Sequence, residues 1–151
     1  MKLDGLRILL VEDCPDQQRM LLHFLEHEGG LVYLECDGYA AVRMIRRAMR
    51  EGQPFDAVIM DLVLEASDGI DSTRSILQMC PSMPIVAITA HGSDKIEKQW
   101  REAGCHEYLE KPLTSYNLIA AIGFARAKAM EKQGAESDVT KTTVPMMSLQ
   151  K

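Results

Sequence analysis

Five short apolar runs, each followed by a segment whose apolar residues recur at helical spacing, leave few folds open to this chain. The runs are residues 6–11, 31–34, 57–60, 85–89 and 108–109. Each is too short for a buried helix and suits a strand covered on both faces. Between the first two, Pro15 fits a first helical turn, Met20, Leu21, Phe24 and Leu25 form one stripe, and Gly29 with Gly30 ends the helix. Asp37 is placed to cap a second helix over residues 38–50, with Ala41, Val42, Ile45, Ala48 and Met49 inward and Arg43, Arg46, Arg47 and Arg50 outward. Ile70, Thr73, Ile76 and Leu77 mark a third helix that Cys80 and Pro81 close. Ser93 or Asp94 caps a fourth, with Ile96, Trp100 and Ala103 inward and Gly104 as its stop. Leu118, Ile119, Ile122 and Ala125 mark a fifth helix over residues 115–130. Strict alternation of strand and helix predicts an α/β fold: a doubly wound parallel sheet of five strands with five flanking helices and right-handed crossovers.

Composition narrows the function. At 151 residues and 46% apolar, the chain is sized for one domain whose core needs no disulfide or metal staple. A net charge of -5 leaves no polyanion footprint, so the four arginines of the second helix read as its solvated side, and no direct nucleic-acid partner is expected. Cys14, Cys36, Cys80 and Cys105 are scattered, with no C-x-x-C pair and no histidine to complete a zinc site, which predicts free thiols. His23 and His27 share one helix face but lack an acidic motif, and read as surface. The N-terminus lacks a signal peptide's apolar core, and no apolar run approaches the roughly 18 residues of a membrane span. A soluble cytoplasmic protein without a membrane partner is the expectation. Residues 131–151 are polar and aperiodic, so residues 1–130 are read as the domain and 131–151 as a flexible C-terminal tail or linker.

The strand ends carry the chemistry. Glu12 and Asp13 follow the first run, Asp61 the third, Thr89 ends the fourth, and Lys111 follows the fifth. A parallel sheet gathers these at its carboxyl edge, where open α/β sheets place their ligands. Three crowded carboxylates repel one another unless they hold a hard cation, and Mg²⁺ takes one or two carboxylates, waters and phosphate oxygens. Asp13 and Asp61 are the expected direct ligands, with Glu12 acting through water. Asp61 is the candidate nucleophile for a phosphoryl group, forming an acyl phosphate. The Lys111 ammonium, and the Thr89 hydroxyl with the Ala90 backbone N–H, are suited to the phosphoryl oxygens.

Taken together, Leu10-Val11-Glu12-Asp13, Met60-Asp61, Asp68-Gly69, Thr89-Ala90 and Tyr108 three residues before Lys111-Pro112 resemble a response-regulator receiver domain of two-component signalling, over residues 6–128. The resemblance implies a flavodoxin-like strand order of 2-1-3-4-5, Mg²⁺ at the acidic edge, and phosphoryl transfer to Asp61 from a histidine kinase or histidine phosphotransfer protein. It implies a metal set of Glu12, Asp13, Asp61 and Val63, and positions at Val63 and His91 that tune hydrolysis. It implies a switch in which the Thr89 hydroxyl is drawn in and Tyr108 rotates inward, so that the face of helix four, strand five and helix five meets a downstream protein target or a second copy of the chain. Lys111-Pro112 is implied to be a cis peptide. One stretch departs from the pattern: Leu64-Glu65 stands where the family usually has Met-Pro, which bears on the stiffness of the loop and adds a charge near the site.

Rival functions fit less well. An aspartyl-nucleophile Mg²⁺-dependent phosphatase needs an acid two residues past Asp61, where Val63 stands. A flavodoxin needs a phosphate loop after its first strand, where Glu12 and Asp13 would repel phosphate. A degenerate receiver used only as a binding scaffold would not need the intact acidic and basic residues. Such a domain accepts and loses its own phosphoryl group and is not expected to be an enzyme that turns over substrate. The chain is then a single-domain regulator, a phosphorelay intermediate, or a receiver cut from a larger protein such as a hybrid kinase.

Overall fold

The computed structural model describes residues 1–65 and 67–149, with side chains through residue 134 apart from residue 133. Its elements follow the predicted alternation: β1 (Arg7–Val11), α1 (Pro15–His27), β2 (Leu31–Glu35), α2 (Gly38–Arg50), β3 (Ala57–Asp61), α3 (Gly69–Met79), β4 (Ile85–Thr89), α4 (Asp94–Ala103), β5 (Glu107–Glu110) and α5 (Ser115–Leu149). The sheet is parallel in the order β2-β1-β3-β4-β5, the flavodoxin-like order expected.

Alternate residues of each central strand feed two cores. Leu9, Val11, Val58, Met60, Ile85 and Ala87 pack with α2, α3 and α4, including Trp100, which is buried. Ile8, Leu10, Ala57, Ile59, Val86 and Ile88 pack with α1 and α5. Coverage on both faces is why these strands read as continuous apolar runs. The edge strand β2 is less covered, with Leu31 and Tyr33 exposed.

Caps set where the helices begin. Asp37 accepts the Ala40 N–H at 2.8 Å, and Asp68 accepts the Ile70 N–H at 2.8 Å. Of the two candidates for α4, Ser93 is the cap, accepting the Ile96 N–H at 3.2 Å. Gly104 stops that helix with φ of 100°, a left-handed conformation that glycine adopts at low cost. Lys111-Pro112 is cis.

Two expectations need correction. Met49 is 41% exposed rather than inward, because it lies at the margin of the α2 stripe set by Ala41, Ile45 and Ala48. The fifth helix also does not end near Met130: its backbone stays helical to Leu149. Among the described side chains, Ala129 is the last buried one, and residues 131, 132 and 134 are exposed. Residues 131–144 contain one glycine and no proline to break the helix. The last two residues of the expected tail lie outside the described residues.

Candidate functional site

Strand register assembles the site. Val11 pairs with Met60, Asp61 with Ile88 and Thr89 with Glu110, so Glu12, Asp61, Thr89 and Lys111 emerge side by side at the carboxyl edge. A cleft of about 560 Å³ opens there, lined by Glu12, Asp13, Asp61, Val63, Ala90 and Lys111 among others.

Lys111 is central. Its Nζ lies 2.9 Å from Glu12 Oε2 and 2.9 Å from Asp61 Oδ2. The Glu12 side chain is fully buried and that of Asp61 is 5% exposed. Burial pushes the Glu12 carboxyl up from its ordinary value, and neighbouring Asp61 adds to the rise while Lys111 opposes it. Burial alone would lower the Lys111 ammonium, but its bonds to Glu12 and Asp61 outweigh that, and it holds its proton more tightly than a free lysine. The site therefore keeps a fixed positive charge beside Asp61.

The other oxygens are also held. Asp61 Oδ1 accepts the Val63 N–H at 2.9 Å, and Glu12 Oε1 accepts the Cys14 N–H at 3.1 Å. Gln18 donates to the Glu12 backbone carbonyl. Gly69 lets the start of α3 close on the end of β3, for a Cβ there would lie 2.1 Å from the Asp61 carbonyl oxygen.

Glu12, Asp13 and Asp61 each offer a carboxylate oxygen, all within 4.8 Å of one another. Three hard oxygen donors in that space suit Mg²⁺ rather than a softer ion. Both Glu12 oxygens accept hydrogen bonds, from Lys111 and Cys14, as both Asp61 oxygens do from Lys111 and Val63. Val63, also expected in the metal set, lines the cleft with an exposed side chain that has no donor atom, so only its backbone could serve.

The expected residues do not all reach the cleft. Thr89 is fully buried, and its hydroxyl accepts the His91 N–H at 3.3 Å, whereas Ala90 and His91 line the opening. Tyr108 lies against α4, its ring stacked on Trp100 at 5.5 Å between centroids and 5° between planes. Its hydroxyl is beside Gly92 and, like the Trp100 N–H, is buried without a hydrogen-bond partner among the described residues. Cys14 and Gln17 also line the cleft and were not anticipated. Pro15 at the start of α1 was the signal available, since it turns the first helical turn over the edge where Glu12 and Asp13 end.

A family model described as a response regulator receiver domain matches residues 8–123. The sensor histidine kinase GacS of Pseudomonas protegens is 32% identical over 135 residues, covering 86% of this chain and 14% of its own length. The transcriptional regulatory protein TcrA of Mycobacterium tuberculosis is 30% identical over 133 residues, covering 88% of this chain and 49% of its own. The chain thus spans less than half the length of these curated relatives. Among solved structures, the receiver domain of the sensor histidine kinase PA1611 from Pseudomonas aeruginosa, described with a magnesium ion coordinated in its active site cleft, is 34% identical with a TM-score of 0.72. That match covers 80% of this chain and 98% of that one. A receiver domain from Methanospirillum hungatei, at 21% identity and a TM-score of 0.74, covers 84% of this chain and 98% of that one and supports the fold alone.

Proposed function

The chain belongs to the response regulator receiver family, and on that premise we propose that Asp61 accepts a phosphoryl group from a phosphohistidine of a histidine kinase or histidine phosphotransfer protein. The observation that carries this reading is the single Lys111 ammonium, shared between Asp61 and the buried Glu12 at 2.9 Å each, at the mouth of an acidic cleft. Phosphoryl transfer asks the protein mainly for position and fixed charge. An Asp61 carboxylate oxygen attacks phosphorus, the P–N bond to the donor imidazole breaks, and its electron pair stays on the ring nitrogen, which takes a proton.

Lys111 then faces the added charge, and the Ala90 backbone N–H at the cleft is available to a phosphoryl oxygen. Asp13 and Asp61 would hold Mg²⁺ with Glu12 behind them and the Val63 backbone beside them. When bound, the ion neutralises charge on the phosphoryl oxygens. Thr89 and Tyr108 are the switch pair: the buried Thr89 hydroxyl turns toward the phosphoryl group, and Tyr108, stacked on Trp100, couples that movement to the α4–β5–α5 face. A protein target, or a second copy of the chain, reads that face. The domain accepts and loses its own phosphoryl group rather than turning over a substrate. We assign it to the cytoplasm; among the described residues no helix is long and apolar enough to cross a membrane.

Incubation with Mg²⁺ and acetyl phosphate, followed by intact mass, tests the proposal. A gain of about 80 Da, one phosphoryl group, is expected in the wild type and absent in Asp61→Ala. No gain, or a gain that survives Asp61→Ala, would sink the phosphoacceptor role and favour a binding scaffold.

A further inference from the structure

Asp13 is tied to a part of the chain 52 residues away. Its Oδ2 accepts the backbone N–H of Glu65 at 2.7 Å, across the cleft from the end of β1 to the loop after β3. That loop is pinned on either side of Glu65. Leu64 is buried in the core with α2 and α3, Val63 and Asp68 form an antiparallel bridge, and the Gly69 N–H reaches the Leu62 carbonyl at 3.2 Å. The Ser67 hydroxyl accepts the Gly38 N–H at 2.7 Å, tethering the loop to the start of α2. The Glu65 side chain is exposed while its amide turns to Asp13. Leu64, held in the core on one side, and the Ser67 tether on the other fix the direction of that amide.

We infer that the backbone N–H of Glu65 is a positioning group for the divalent cation: it orients the Asp13 carboxylate, so that the conformation of the 62–69 loop sets cation affinity. This rests on the reading of Glu12, Asp13 and Asp61 as a Mg²⁺ site. One Asp13 oxygen faces the loop amide and the carboxylate is held against rotation, which lowers the cost of presenting it to a cation. The bond is made by the amide, so it does not depend on the Glu65 charge. Loss of a group that orients a metal ligand typically weakens binding by about 10- to 100-fold. This bond lies near solvent, so the lower end, about tenfold, is expected.

Titration calorimetry of the full chain with MgCl₂ decides the matter. Glu65→Pro removes the N–H and should weaken Mg²⁺ binding by about tenfold, whereas Glu65→Gln keeps it and should bind within about twofold of wild type. Wild-type affinity in Glu65→Pro, or equal loss in Glu65→Gln, overturns the inference. Amide hydrogen exchange of the metal-free chain covers the case of a poorly folded proline variant: exchange of the Glu65 N–H should speed up in Asp13→Ala relative to Val63, and an unchanged rate overturns the bond itself. A wild-type chain that takes no Mg²⁺ overturns the cation reading and this inference with it. A wild type that binds Mg²⁺ alongside an equally competent Glu65→Pro overturns the inference alone.

Discussion

Glu12 and Asp61 share one ammonium, and that arrangement makes Lys111 a structural residue as well as a functional one. Removing one partner from a buried charge network leaves the others unpaired, which typically costs about 3 kcal/mol or more. Lys111→Met should therefore lose about 3 kcal/mol at neutral pH in a urea titration. Added Mg²⁺ should recover part of that loss by binding only the folded state. A wild-type midpoint would show that the carboxylates are not held by the ammonium. Asp61 and Lys111 were legible in the sequence, because each stands at the end of an apolar run and parallel register does the rest. Glu12 and Asp13 were less so. As neighbours at a strand end they look equivalent, but successive side chains there point apart, sending Glu12 inward to Lys111 and Asp13 outward to the loop. The Glu65 amide was legible only as the absence of the proline usual at that position, and its reach to Asp13 was not, since every residue but proline carries the same backbone donor.

Strand β5 is a short edge strand, and His106 fastens its start. The Ile85 N–H donates to His106 Nδ1 at 3.1 Å, and the His106 N–H donates to the Ile85 carbonyl at 2.9 Å. Burial holds the imidazole below its ordinary value of 6.5, the Lys132 and Lys128 ammonium groups add to this, and Glu107 opposes it. A lowered value in the folded state means that the unfolded chain binds the proton more readily below pH 6.5. The stability from this group is thus present above that pH and is lost as pH falls through the lowered value. Urea midpoints measured from pH 8 down to pH 5, about the range histidines sample, should fall less steeply in His106→Asn than in wild type, and parallel slopes would remove His106 as the cause. At this scale the alternation of elements was fully legible, since both faces of the central strands are covered. Met49 and the end of α5 were not, because stripe margins and helix ends depend on neighbours that periodicity does not contain.

Across the whole molecule, the site lies on the seam between two cores. Leu62 and Leu64 belong to the core with α2, α3 and α4, while Leu113, just past Lys111, belongs to the core with α1 and α5. Among the described side chains Ala129 is the last buried one, so we propose the domain boundary after Met130, with the remainder as a linker. A chain ending at Met130 should melt at the wild-type temperature and take the same mass gain from acetyl phosphate. A lower melting temperature would move the boundary outward. The clamp at the foot of the 62–69 loop carries a further consequence, for length rather than for residue type. Gly69 against the Asp61 carbonyl and the Val63–Asp68 bridge fix both ends of the loop, and Leu64 and Ser67 are anchored inside them, so one residue added between Leu64 and Ser67 lengthens the segment between those two anchors. Such an insertion should leave the melting temperature nearly unchanged while carrying the Glu65 amide out of reach of Asp13, and calorimetry with MgCl₂ would register it as weakened binding. Natural variation in this loop's length would then tune metal affinity without disturbing the sheet.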